Sequence, residues 1–295
     1  MLKHSIASGI VLAMLLFSPS VHAQTGPPRS PDPTEPGLDG WGRPIIRSPN
    51  NRQSGPLPRH DISGIWDAPD MGGNQVLGAK AMPEDGKPEH QLPYTPLGLE
   101  KLKETKPSNG TRSVRPGDTN DPVFAYGDPQ GFPREDLYEL RTTQVLQTPQ
   151  SVVLLYQFGK IWRVIWTDGR ELPKDPEPRW FGYSVGKWVD DYTFVAQTSG
   201  TDERTWLDKG GRPHSEDLVV EESFHRVNHD LLELTVTIND PKMYAKPWVA
   251  MNKFPMKLLP PDFDVMEHMC SVSEFMQYNK AMGFGNPTLG TDGKK

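Results

Sequence analysis

The chain has one cysteine, Cys270, in 295 residues. No disulfide can form within it, so the fold must be held by a packed core, and a lone thiol of this kind reads as a buried, inert one. The chain lacks a Gly-rich phosphate loop, a G-x-S-x-G elbow, an H-E-x-x-H pair and a C-x-x-C pair. Those absences argue against the common nucleotide, hydrolase and zinc chemistries, and no metal or other cofactor is expected. Positive charge is not in excess: the net charge is −6 and is spread along the chain. Without a basic patch, nucleic acid and anionic membrane surfaces drop out as partners.

Long apolar runs are also scarce. The longest lies at residues 9–17, after a short positive start at Lys3 and His4 and before Val21-His22-Ala23. It is shorter than the ~18 apolar residues that a membrane span requires. A positive start, a short apolar stretch and small residues before a cleavage point read as a secretory signal peptide over residues 1–23. The expectation is an exported protein, periplasmic or secreted, with no membrane span after cleavage. Residues 24–60 follow with nine prolines and few large apolar side chains. Such a segment cannot offset its ordering entropy by burial and reads as an extended arm or linker.

Residues 61–282 read as a single β-barrel domain, and 283–295 as a disordered tail. Residues 61–68 (DISGIWDA) alternate as a first strand. Residues 69–140 are a long, largely irregular insertion, broken by a short helix with Thr95 as N-cap and Pro96 in its first position. Strands follow at 143–148, 151–158, 161–166, 180–189, 192–199, 218–227, 231–238 and 246–254. Turn residues separate them at Gly159-Lys160, Asp190-Asp191 and Asn228-His229-Asp230. In 231–238, Leu232, Leu234, Val236 and Ile238 share one face and Glu233, Thr235 and Thr237 the other. Apolar spacing over 265–282 predicts a closing helix. Hairpin-linked strands of this number favour an all-β, antiparallel up-and-down barrel of eight or nine strands, because closure removes exposed edges. A β-sandwich is the alternative.

The pieces DISGIWD, NDPVF leading to PQGFPR, GKIWRVIWTDGR, GYSVGKW, TWLDKGGRPHS and NHDLLELTVTINDPKMYAKPW resemble those of a family of exported bacterial proteins of unassigned function. The likeness covers roughly residues 61–272 and brings no reaction with it. It implies that a cysteine often stands in the segment matching AYGDPQG, where this chain has Tyr126-Gly127-Asp128, so a disulfide from there to Cys270 is absent. Gly64-Ile65-Trp66 also resembles the Gly-x-Trp of the first lipocalin strand. That likeness implies a Trp plugging one end of a lipocalin-like barrel and an apolar ligand inside it.

Two loops concentrate polar groups. Thr167-Asp168-Gly169-Arg170-Glu171 follows the strand at 161–166, and residues 201–215 follow the strand at 192–199. In a regular meander both would emerge at the same rim. There His214 can act as general acid or base, Asp208 can orient it, and Arg170 or Arg204 can hold a developing anion. Asp168, Arg204 and Trp206 would border the same mouth. The residues serve equally well as ordinary turns, since Asp-Gly and Gly-Gly are turn dipeptides. Tyr156 and Tyr183 sit on strands with apolar or small partners, and a buried hydroxyl there needs a ligand or Arg163. Glu222 is in register with Leu218, Val220 and Phe224, although Glu221 is the inward residue if that face is the outer one. His225 and His229, at a strand end and its turn, do not point the same way and carry no metal logic.

Two functions fit. One is an exported barrel that binds a small apolar or aromatic molecule. The other is a cofactor-free lyase, isomerase or hydrolase acting on a small metabolite through His214 with a nearby Asp and Arg.

Overall fold

The computed structural model describes residues 41, 55–68, 87–138, 140–269 and 271–281. The expected leader at 1–23, most of the expected 24–60 arm, Cys270 and the expected 283–295 tail lie outside the described residues. Nine strands close into a barrel in chain order: β1 (Gly64–Asp67), β2 (Thr143–Gln147), β3 (Ser151–Tyr156), β4 (Trp162–Trp166), β5 (Tyr183–Trp188), β6 (Thr193–Ser199), β7 (Val219–Asn228), β8 (Leu231–Asn239) and β9 (Trp248–Leu258), with β9 pairing back on β1. All nine strand expectations are met, with ends displaced by a few residues.

The turns carry the chemistry expected of them. Gly159 and Lys160 both have positive φ, as a two-residue hairpin turn needs. In the β5–β6 turn the Asp190 side chain accepts from the Tyr192 amide at 2.8 Å, and in the β7–β8 turn Asn228 accepts from the Asp230 amide at 2.9 Å. On β8 the alternation puts Leu232, Leu234, Val236 and Ile238 in the core.

The wholly antiparallel meander is not what forms. β4 and β5 pair in parallel, Ile165 beside Ser184 and Trp166 beside Val185. A ring of antiparallel neighbours must contain an even number of strands. With nine, one junction has to be parallel, and the chain makes it by running residues 167–182 back along the wall between β4 and β5.

That junction sets which loops share an end. Following the pairings round the barrel, the β2–β3, β5–β6 and β7–β8 turns lie at one end, the turn end, together with the exit of β4. The His60 amide there donates to Asp191 O, and the Thr167 amide to Gln150 O. The β3–β4 turn, the β6–β7 loop, the β8–β9 connection and the insertion between β1 and β2 lie at the other end.

The insertion does more than dress that end. It holds the helices α1 (Pro96–Glu104), α2 (Pro122–Tyr126) and α3 (Arg134–Leu137). Thr95 caps α1 by accepting from the Gly98 amide at 3.0 Å, with Pro96 at the first position. Residues 130–138, all buried, form a plug. Phe132 is fully buried, and its amide donates to Trp180 O. The C-terminal helix α4 (Val272–Ala281) is shorter than expected, and its described side chains are exposed.

Candidate functional site

Alternation on three strands aims three polar side chains inward. On β3 the alternating buried positions are Val152, Leu154 and Tyr156, with Ser151 also buried at the strand start; on β4, Arg163 and Ile165; on β7, Val220, Glu222, Phe224 and Arg226. Glu222, not Glu221, therefore faces the interior. Arg163 Nη1 donates to the Tyr156 hydroxyl at 3.0 Å, and Nη2 donates to Glu222 Oε2. The guanidinium carbon lies 3.9 Å from the centre of the Phe132 ring. From the plug, Asp136 brings a second carboxylate: its Oδ2 is 3.9 Å from Arg163 Nη1, and the side chain reaches Glu222 and Tyr156.

This polar centre holds two acids against one cation in a buried interior. Burial pushes Glu222 up to about 8, with Arg163 opposing and Asp136 adding to the rise. Burial raises Asp136 as well. Burial works against the Arg163 cation, but Glu222, Tyr156 and Asp136 outweigh it and hold its pKa above the ordinary value. Burial likewise holds the Tyr156 phenol well above its usual range. At neutral pH the carboxyl pair keeps one proton. Apart from the proton that the two acids share, Glu222 Oε1, Asp136 Oδ2 and Arg163 Nε find no hydrogen-bond partner among the described residues, and neither does either atom of the buried Gln130 amide.

The expected rim is not assembled. Asp168 and Arg170 leave β4 at the turn end, whereas the 201–215 loop leaves β6 at the plug end. One parallel pair reverses the parity on which a shared rim depended. Arg170 instead pairs with Asp168, the closest contact being 2.5 Å, and lies 3.8 Å over Trp166. It also borders a groove of about 630 Å³ on the outer wall, beside Val185, Val195 and Glu221. Arg204 repeats the device: it pairs with Asp202 at 2.6 Å and lies 4.7 Å over Trp180. In both loops the arginine amide also donates to the aspartate side chain, so each is a self-contained Asp-x-Arg turn.

The 205–215 corner is built as a packed joint. Asp208 Oδ2 accepts from Arg212 Nη1 at 2.7 Å, and Oδ1 accepts from the Gly210 amide at 2.8 Å. His214 Nε2 lies 2.8 Å from the Thr205 hydroxyl and Nδ1 3.2 Å from Ser215 O, with 4% of the residue exposed. Burial lowers its pKa, against the pull of Ser215 O, Asp240 and Asp202. Asp208 thus serves Arg212 rather than orienting His214. The Tyr244 hydroxyl and Ser215 tie the corner to the β8–β9 connection through Pro213 O and Asp240. Trp206 is buried beneath the Arg134 guanidinium, 5.8 Å away.

Tyr183 is half-buried, donates to Glu177 O at 3.1 Å and lies under Arg179, while its neighbour Ser184 takes the inward position. It does not enter the barrel. His225 and His229 have separate partners, the Thr193 hydroxyl and Asp230. Sequence reasoning missed the plug. Its one visible signal is the pairing of Phe132-Pro133 and Leu137-Tyr138 around Arg134-Glu135-Asp136, apolar flanks that imply burial of the charges between them.

No protein-family model, curated protein or solved structure matches this chain.

Proposed function

We propose that this protein is an exported small-molecule-binding barrel, and that its ligand, an apolar or aromatic body with a polar head, engages the Arg163–Glu222–Asp136 centre where the 130–138 plug meets the barrel wall. The observation that carries this reading is Arg163 Nε, an N–H donor buried inside the closed barrel with no hydrogen-bond partner among the described residues, beside two acids that share one proton. An unmatched buried polar group costs ~1–3 kcal/mol, and such groups persist where they have a task. The aromatic wall, with Phe132, Phe194 and Phe224 buried around the interior, suits the body of such a ligand. Export rests on the leader read in residues 1–23.

The enzymatic alternative draws no support from the surroundings of His214. Both ring nitrogens have partners inside a filled corner, and neither of those partners is a carboxylate. A general base needs a lone pair facing its substrate.

Native mass spectrometry of the full chain, purified from its own host, tests the binding reading. A co-purifying small molecule is expected with the wild type and is lost with Arg163→Met, while the barrel stays folded by circular dichroism. A wild-type protein that carries no adduct, or an adduct retained unchanged in Arg163→Met, would sink it.

A further inference from the structure

We infer that Asp136 and Glu222 form a proton-held latch, which keeps residues 130–138 seated in the barrel end and releases them when the shared proton is lost. Asp136 belongs to the plug and Glu222 to the wall, and both carboxylates lie against the one buried Arg163 guanidinium, so the cluster joins a connecting segment to β7 across 86 positions of the chain. Two buried carboxylates at one guanidinium repel unless one keeps a proton, which then bridges them.

The charged and titratable neighbours on every packed element are few. Arg163 on β4 faces both acids; the Tyr156 hydroxyl on β3 accepts from Arg163 and lies beside them; Glu135, next to Asp136 in α3, is buried and raises Tyr156 further. Arg134, on the same short helix, is spent on Asp121 in a two-point pair with both side chains fully buried. One arginine therefore serves the two latch acids.

The linkage has a definite sign. Glu222 titrates at about 8 with the plug seated and near 4.5 when free. The seated state thus holds a proton that the open state releases. Between those two values opening grows by up to about tenfold per pH unit, and above the upper one it levels off. Arg163 and Tyr156 keep their protonation through this range, so the carboxyl pair alone sets the slope. That an open plug admits a ligand rests on the binding reading above; the latch itself does not.

Hydrogen-exchange mass spectrometry on the full chain from pH 5 to 9, corrected for intrinsic exchange rates, tests it. Peptides spanning 130–138 are expected to lose protection by up to about tenfold per pH unit up to about pH 8 relative to β8, then no further. Glu222→Gln, whose amide imitates the protonated acid, should flatten the slope, and Asp136→Asn should do the same. Protection in 130–138 that does not change with pH in the wild type would overturn the latch, and so would a slope that survives in both variants. If β8 loses protection in one variant, the other decides. A flat slope in the variants combined with no co-purifying molecule would leave the latch standing and remove the binding reading.

Discussion

The Arg226 guanidinium lies 4.9 Å over the ring of Trp66, joining β7 to β1 across the barrel although the two strands are not neighbours in the sheet. Trp66 is fully buried and donates through Nε1 to Ile62 O at 2.9 Å. The same guanidinium donates to Asp61 O at 2.8 Å and to His229 O at 2.7 Å. One side chain thereby holds the lead-in to β1, the β7–β8 turn and the Trp that fills the interior. Arg226→Met keeps the stem on the ring but strands two carbonyls. It is expected to cost about 2–3 kcal/mol in urea unfolding, and a loss below about 0.5 kcal/mol would refute this role.

Asp121 and Arg134 test the foundation of the plug. Removing one partner of a fully buried ion pair leaves an uncompensated charge, at a cost of about 3–5 kcal/mol. Asp121→Ala should therefore destabilise strongly. The double variant Asp121→Leu with Arg134→Met should be less damaging than Asp121→Ala alone. Denaturant midpoints of the wild type, the single variants Asp121→Leu and Arg134→Met and the double variant close the cycle, and simple additivity would contradict the pairing.

Acid stability should report on His214. Burial lowers its pKa, so below about 6.5 the unfolded chain takes up a proton that the folded chain refuses. Stability is then lost as pH falls from about 6.5 towards the depressed folded value, by up to about 1.4 kcal/mol per pH unit. Urea unfolding at pH 7.5 and pH 5.5 isolates this increment as a difference: the stability of wild type relative to His214→Gln should fall between the two pH values, the Glu222 contribution being common to both proteins. The sign is opposite to that of Glu222, whose seated form is favoured by acid.

Two glycines separate packing from backbone strain. A β-carbon on Gly186 would run into the Phe194 ring and come within 2.8 Å of Ile165 Cγ2, so Gly186→Ala should cost about 1–3 kcal/mol by overpacking. At Gly169 nothing lies within 4 Å, but φ is +85°. Gly169→Ala should cost about 1 kcal/mol through the backbone alone. Equal melting temperatures for Gly186→Ala and wild type would refute the close approach to Phe194.

Much of the wall was legible because its signals are local. Alternation on β8, the positive-φ pair at Gly159-Lys160 and the Asp and Asn turns act over a few residues. Tyr156 with Arg163 could be anticipated, since a buried phenol next to an inward arginine has an obvious partner. Glu222 could not be oriented, because the apolar residues beside it and the acids on both faces fit either direction. Only the pairing of β7 with β6 and β8 turns Glu222 inward and Glu221 out.

The loops were misjudged for a reason beyond any one segment. Asp168 and His214 looked like neighbours under an even strand count, and a single parallel junction put them at opposite ends. Asp136 was invisible because its burial depends on Arg163, Glu222 and Tyr156 arriving from three other strands.

The sequence by itself determined the strands, their turns and the all-β class, since periodicity and turn chemistry are properties of adjacent residues. Tertiary structure alone decided the parallel β4–β5 junction, the end at which each loop emerges and the joining of Asp136 to Glu222. Those depend on how many strands close the ring and on which distant side chains share a buried interior, and neither is encoded within any short stretch of chain.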